Sequence, residues 1–329
     1  MRHAAANIEC LVKGGLCSHI APTPNIMPLS ESPPYTEAWL TGPLNTRLYT
    51  RTYKAETPIA VVVFLHGAAE HAGRYTEMHN RLAQGNISVF VFDLRGFGRT
   101  ALDKVNKSKD AAYGRTNSEW QLDDLEWAIE HVQAEFSDLP IFIMGASMGG
   151  GLVLGLMCDE KRRTHKPTMA VRGVITGSPC IAIPRHIPKF VLWIASGMAM
   201  FIPYSIYPIR NKNKDLSRNP VTNAQYLTDP LIHTPGSLRG ILDMLGMGAR
   251  LLSTTYVNWP KDLPVLFLHG TADLITSYES TKALFNKLPA NDKDMIAYQG
   301  AYHELHNEPD GVREKALADI VAFIDSHLC

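Results

Sequence analysis

Residues Ile141-Phe-Ile-Met-Gly-Ala-Ser-Met-Gly-Gly-Gly151 constrain this chain more than any other stretch. The apolar run after Pro140 has the composition of a strand covered on both faces. A G-x-S-x-G pattern, Gly145 to Gly149, follows at once. Leu152, Val153, Leu156 and Met157 then recur at helical spacing. A strand, a tight glycine turn and a helix in this order form a nucleophile elbow. The glycines permit a turn that side chains would block, so Ser147 is expected in a strained backbone with its hydroxyl exposed. The helix that begins there aims N–H groups at any oxyanion formed beside the serine. Alone, G-x-S-x-G is a weak signal. Its place between a strand and a helix makes it a strong one.

The rest of the chain repeats this rhythm. Leu48 to Lys54 is strand-like, and Ile59–Leu65, Ser88–Asp93, Val171–Thr176, Pro264–His269 and Asp294–Tyr298 read as further strands. Helical patterns separate most of them. Ser118-Glu-Trp-Gln121 has the form of a capping box and opens one of these helices, and a closing helix is expected from about 312 to 327. Alternation of this kind predicts an α/β fold with a mainly parallel central sheet and helices on both faces. Residues 1–40, rich in proline and small residues, read as an irregular N-terminal arm. The rhythm breaks between 180 and 258, which reads as an inserted helical cap between core segments 41–179 and 259–329. The cap is expected over the C-terminal ends of the strands, where such folds place their sites.

Composition narrows the function classes. Lys+Arg and Asp+Glu both number 32, so charge gives no argument for nucleic acid. The 5 cysteines are scattered and lack a C-x-x-C pair, against a disulfide framework or a structural zinc site. His303 and His306 are spaced by three rather than the four of the zincin helix, and Gly149-Gly-Gly151 lacks the Lys-Ser/Thr of a phosphate loop. No metal or organic cofactor is called for. The first residues show no apolar core of a secretory signal, so a cytoplasmic location is the default expectation.

A nucleophilic serine needs a histidine base and an acid that orients it. In a fold of this kind they come later, in the order acid then histidine, each just after a strand. Asp273 follows the Val265–His269 strand, and His303 follows the Asp294–Tyr298 strand. Asp262 is a weaker rival because it precedes its strand, and His306 is the nearest rival histidine. The oxyanion hole is expected from the N–H groups of Met148 and of Ala68, just past His66-Gly67.

With these residues in place a resemblance appears. His66-Gly-Ala-Ala-Glu-His-Ala-Gly-Arg-Tyr75 resembles the HGxxEHxxRY segment of the monoacylglycerol lipases, serine enzymes of the α/β-hydrolase fold. Gly145-Ala-Ser-Met-Gly-Gly150 is similar to their GHSMGG elbow, and Leu216-Ser-Arg-Asn-Pro220, Tyr226 and Asp229-Pro-Leu-Ile232 to their cap. Gly300-Ala-Tyr-His303 and Leu305-His306 resemble the segment around the family's catalytic histidine. The likeness runs from about residue 40 to the C-terminus. It implies a Ser147–His303–Asp273 triad acting on a fatty acyl ester of glycerol, with Glu70, Arg74, Tyr226 and His306 at the head-group end. Two positions depart from the pattern. Ala146 replaces the histidine before the nucleophile, and Gly96-Phe-Gly-Arg-Thr100 stands where the family tends to have a GHGxS loop.

These readings make the partner a lipid or small-molecule ester. An esterase, lysophospholipase or acyltransferase on another acyl group is the alternative within the same chemistry. The full Ser, Asp and His set argues against a hydrolase-fold binding protein that has lost catalysis. The apolar segment Phe190–Tyr204 is too short to span a bilayer. It reads in one of two ways: as the lining of an acyl tunnel that contacts membranes or lipid droplets peripherally, with Arg210, Lys212 and Lys214 near anionic head groups, or as ordinary cap core beside a solvated basic loop.

Overall fold

A computed structural model of the protein describes residues 33–328 apart from 186, 209–212 and 234. In chain order the strands are β1 (Thr36–Thr41), β2 (Arg47–Tyr53), β3 (Ala60–Leu65), β4 (Ile87–Phe92), β5 (Ile141–Ala146), β6 (Val171–Gly177), β7 (Ile206–Pro208), β8 (Pro235–Ser237), β9 (Val265–Gly270) and β10 (Lys293–Tyr298). The helices are α1 (Thr76–Gln84), α2 (Gly98–Leu102), α3 (Ser118–Glu135), α4 (Met148–Cys158), α5 (Lys166–Met169), α6 (Lys189–Phe201), α7 (Pro220–Thr228), α8 (Leu238–Ser253), α9 (Tyr278–Lys287) and α10 (Val312–Ser326). An 8-stranded sheet runs in the order β1-β2-β4-β3-β5-β6-β9-β10. Its first two pairings are antiparallel and the rest are parallel. This is the α/β-hydrolase fold.

The middle strands are covered on both faces because their side chains alternate between two apolar layers. Val61, Val63 and Leu65 of β3 enter one layer with α3, α4, α8 and α9. Ala60, Val62 and Phe64 enter the other with α1 and α10. Each such buried Val, Leu or Phe side chain contributes roughly 1.5–3 kcal/mol relative to exposure. Parallel pairing therefore brings the ends of β3, β5, β9 and β10 to one edge of the sheet, and the loops that follow them meet there.

Two local expectations are corrected. The N-terminal arm expected through residue 40 gives way at Thr36 to β1, which pairs with β2 from Thr36↔Thr52 to Thr41↔Arg47. Its residues are mostly exposed, so an edge strand of this kind lacks the apolar run that marks an inner one. The cap of α3 is Asn117 rather than Ser118, its side chain accepting the Trp120 N–H at 2.9 Å. Asparagine competes well for this position, and the Ser118 N–H donates instead to Asp243.

Between β6 and β9 lie α6, the small β7–β8 ribbon, α7 and α8. The last of these packs Met247 and Leu251 into the core layer that also holds α4. The face of α6 is different. Trp193 is 78% exposed and Phe201 84%, with Phe190, Ile194 and Met200 also on the surface. Among the described residues no helix is long and apolar enough to cross a membrane.

Candidate active site

Ser147 sits at φ 55° and ψ −117°, outside the regions that residues with a Cβ prefer. The turn survives because neighbouring backbones hold it. Its N–H donates to Gly177 O at 2.9 Å, and its carbonyl accepts from Gly151 at 3.1 Å and Cys180 at 2.9 Å. The flanking glycines are required by close approach. A Cβ at Gly145 would lie 2.2 Å from Gly149 O, and one at Gly149 would lie 2.3 Å from Leu65 O. The elbow is thus pressed against the end of β3, and the Ser147 side chain is left facing a cavity.

Asp273 and His303 reach the same place from β9 and β10. Asp273 Oδ2 accepts from His303 Nδ1 at 2.7 Å, Thr276 Oγ1 at 2.8 Å and His269 Nε2 at 3.1 Å. Asp273 Oδ1 takes the backbone N–H groups of Ile275 and Thr276 at 2.7 and 3.0 Å. Burial alone would raise this carboxyl's pKa, but His303 and His269 beside it outweigh that and hold it well below the usual carboxylate range. The His303 pKa moves the other way. Burial would lower it, yet the Asp273 carboxylate raises it above the ordinary imidazole value. With Nδ1 donating to Asp273, Nε2 is the free nitrogen of the neutral ring. His303 and Ser147 line the same cavity, and among the described residues no hydrogen bond joins them.

The loop after β3 supplies the opposite wall. His66, fully buried, donates from Nδ1 to Gly67 O at 2.8 Å and accepts the Leu94 N–H on Nε2 at 2.8 Å. Burial pushes its pKa down to about 4, so it is a neutral strut. A Cβ on Gly67 would come within 3.0 Å of the Ser147 Cβ, which shows how closely the loop approaches the serine. The Ala68 N–H has no acceptor among the described residues, and the Met148 N–H belongs to the open first turn of α4. Neither amide has an acceptor among the described residues.

One end of the cavity is polar. Arg74 bridges Glu70 Oε2 at 2.6 Å and both oxygens of Glu304 at 2.6 and 2.8 Å. Glu70 Oε1 also takes the Tyr75 hydroxyl at 2.7 Å and the Gly67 N–H at 2.5 Å. Tyr226 lies under the Arg74 guanidinium, 5.0 Å from its ring centre, and His306 stacks on Tyr75 at 4.2 Å. Glu70, Arg74, Tyr226, Glu304 and His306 all line the cavity with Ser147. Apolar residues Ile183, Leu216, Met244 and Ile275 line it elsewhere. Phe64, Met144 and Ala146 line it too, as do the charged side chains of Glu77, Arg81 and Arg313.

The expectation that Phe190–Tyr204 lines an acyl tunnel is corrected: among the described residues none of that segment lines the cavity, and α6 turns its large side chains outward. Arg210 and Lys212 fall outside the described residues, while Lys214 is exposed in a short turn. Asp262 does not line this cavity; it accepts from Asn291 Nδ2 at 2.9 Å on the surface. His269, Thr276 and Glu304 carry no sequence signal beyond adjacency to Asp273 or His303, and His66 is marked only as the first residue of the His66–Tyr75 segment.

A serine on a strained elbow, a carboxylate–imidazole pair beside it and two backbone amides, all on the C-terminal edge of a parallel sheet, define a serine hydrolase of the α/β-hydrolase class. The sequence matches the family described as "Serine aminopeptidase, S33" over residues 56–310, and the chain belongs to that family. It is 32% identical over 286 residues to a putative monoglyceride lipase of Schizosaccharomyces pombe, covering 85% of this chain and 71% of the relative. It is 29% identical over 280 residues to human monoglyceride lipase, covering 83% and 85% of the two chains. Among solved structures, a soluble variant of monoglyceride lipase from Saccharomyces cerevisiae, in complex with a substrate analog, superposes with TM-score 0.78 at 25% identity. That likeness covers 91% of this chain and 96% of the other.

Proposed function

We propose that the protein hydrolyses the ester bond of a monoacylglycerol, releasing glycerol and a fatty acid through an acyl-enzyme on Ser147. The observation that carries this reading is a single cavity joining the strained serine to a buried polar cluster at one end and apolar walls elsewhere. An acyl chain with a small hydroxylated head matches both. The names of the relatives support the same substrate.

In this cycle His303 Nε2 takes the proton of Ser147 Oγ as that oxygen attacks the ester carbonyl. Asp273 orients the ring and stabilises the imidazolium that forms. The Ala68 and Met148 amides receive the tetrahedral oxyanion. When the intermediate collapses, the bond to the glycerol oxygen breaks and His303 returns the proton to that oxygen. A water then gives a proton to His303 and attacks the acyl carbon, and the fatty acid leaves as Ser147 recovers its proton. Glu70, Arg74, Tyr226 and His306 receive the glycerol hydroxyls, and Ile183, Leu216, Met244 and Ile275 receive the chain. Burial pushes the His306 pKa down to about 4, so it meets the head group as a neutral ring.

The exposed apolar face of α6 supports peripheral contact with a lipid surface, where an insoluble ester would be met. Lys214, exposed nearby in sequence, adds a positive charge suited to anionic head groups. We propose on this support a peripheral location at membranes or lipid droplets, on the cytoplasmic side.

Labelling with a fluorophosphonate probe tests the nucleophile, with Ser147→Ala as control. Hydrolysis of monoacylglycerol, triacylglycerol, lysophospholipid and short aryl esters tests the substrate. Labelled protein that cleaves short aryl esters far faster than any long-chain glyceride overturns the lipase reading and leaves an esterase.

A further inference from the structure

The head-group end of the cavity carries an arginine, the residue best suited to a phosphate or carboxylate. Here it is not free to act as one. Three of the N–H groups on the Arg74 fork are taken by carboxylates, one by Glu70 and two by Glu304. All three side chains are buried, at 8% exposure for Arg74, 8% for Glu70 and 5% for Glu304. Glu304 is fixed a second time by Asn307 Nδ2, which donates to Oε2 at 2.8 Å. Burial would raise the Glu304 pKa, but the Arg74 guanidinium against it brings it below the usual carboxylate range. One guanidinium between two carboxylates leaves the cluster with an excess of negative charge.

We infer that Glu304 sets the charge preference of the site, locking Arg74 between two carboxylates so that neutral hydroxylated heads are accepted and anionic heads are rejected. The inference rests on the ester hydrolysis proposed above and names which lipid esters the site admits. A second anion brought into this buried end meets like charge in a medium that screens it weakly, and the guanidinium beside it, Arg74, is already held by two carboxylates. A neutral hydroxyl meets the opposite situation. Carboxylate lone pairs accept its proton, and the N–H groups of Arg74 that remain unpaired donate to its oxygen. Glu304 occupies the position between His303 and Leu305, so the selectivity element is carried on the loop that presents the candidate base.

The test uses the full chain and esters with one common acyl chain: a monoacylglycerol, the same lipid carrying a phosphate on the glycerol, and the methyl ester. All are presented in neutral detergent. The wild type is expected to favour the monoacylglycerol over its phosphate by about 100-fold in kcat/KM. Glu304→Gln keeps the shape and removes the charge, and should narrow that ratio by about tenfold or more, while Glu304→Asp should keep it. The rate of fluorophosphonate labelling reports whether each variant retains a working serine. A non-hydrolysable glycerol alkyl ether should compete with the wild type where its phosphate does not, which needs no variant to fold. Equal cleavage or equal competition by the two lipids, or a ratio unmoved in an active Glu304→Gln, overturns the role of Glu304 and leaves the monoacylglycerol reading standing. Cleavage of the methyl ester with neither glyceride accepted overturns that reading itself, and the inference with it.

Discussion

His303 Nδ1 lies 2.7 Å from Asp273 Oδ2, and this contact governs how activity should depend on pH. The base works only when Nε2 is unprotonated, and the buried carboxylate raises the pKa at which that state is reached. Activity is therefore lost as pH falls through the raised His303 pKa. The acid limb of kcat/KM is expected above about 6.5, the ordinary imidazole value. Asp273→Asn removes the charge and favours the wrong ring tautomer, so kcat should drop by roughly 10³–10⁴. A pH–rate profile on a soluble ester measures both. A limb at or below the ordinary value, or a mild loss in the asparagine variant, sinks the assigned roles.

His269 should matter without touching substrate. It is fully buried, and its Nε2 holds the same Asp273 oxygen at 3.1 Å, while its Nδ1 has no partner among the described residues. Replacing it with phenylalanine removes one of the donors that aim Oδ2 at His303. The expected result is a fall in kcat of about tenfold at nearly constant KM, since the head-group and acyl walls are untouched. Steady-state kinetics on a monoacylglycerol decides it. A rise in KM with kcat intact contradicts a positioning role.

The outward face of α6 leads to a separable effect on interfaces. Trp193→Ser with Phe201→Ser removes two large side chains that are 78% and 84% exposed. Losing two aromatic anchors should weaken co-flotation with liposomes by at least about tenfold. Cleavage of a short soluble ester should be unchanged, because neither residue lines the cavity. Equal flotation of variant and wild type argues against the α6 face as the lipid contact.

Much of the reaction centre was legible because its parts sit where backbone periodicity changes. Ser147, Asp273 and His303 each follow a strand, and a strand end is visible in a sequence. The geometry around Glu304 was not legible, because it depends on Arg74, 230 residues away in the chain. Phe190–Tyr204 misled for a related reason. An apolar run signals burial or an interface, but only the packing of α6 reveals that its large residues turn away from the cavity. Strand β1 was hidden because an exposed edge strand needs no apolar alternation.

The buried Arg95–Asp124 pair should be costly to break. Asp124 sits on α3, fully out of solvent, and accepts from Arg95 Nε at 3.0 Å and Arg95 Nη2 at 2.6 Å. Among the described residues, Asp124→Ala leaves the buried guanidinium with the Pro43 carbonyl alone as acceptor. The expected loss is about 3–5 kcal/mol in denaturant unfolding. Arg95→Met with Asp124→Leu should recover most of it, since apolar pairs of similar volume replace buried ion pairs at little cost. A double variant as unstable as Asp124→Ala would show that the loss comes from shape rather than from the stranded charge.

His79 links the fold itself to pH. It is buried on α1 in a box of aromatic rings, with centroids 4.6 Å from Phe64, 5.1 Å from Tyr53 and 5.9 Å from Tyr75. Neither ring nitrogen has a partner among the described residues, and burial drives its pKa well below the ordinary value. At pH 8 the ring is neutral whether the chain is folded or not, and it does not affect the balance. Below about 6.5 the unfolded chain gains a proton that the folded one refuses, so stability falls by about 1.4 kcal/mol per pH unit for this residue. His66 and His306, held at about 4, add to the same slope between 6.5 and 4. His79→Leu should therefore gain about 2 kcal/mol over wild type at pH 5 compared with its effect at pH 8. Urea unfolding at the two pH values measures the difference. The same stability change at both pH values means that packing, and not protonation, is what His79 contributes.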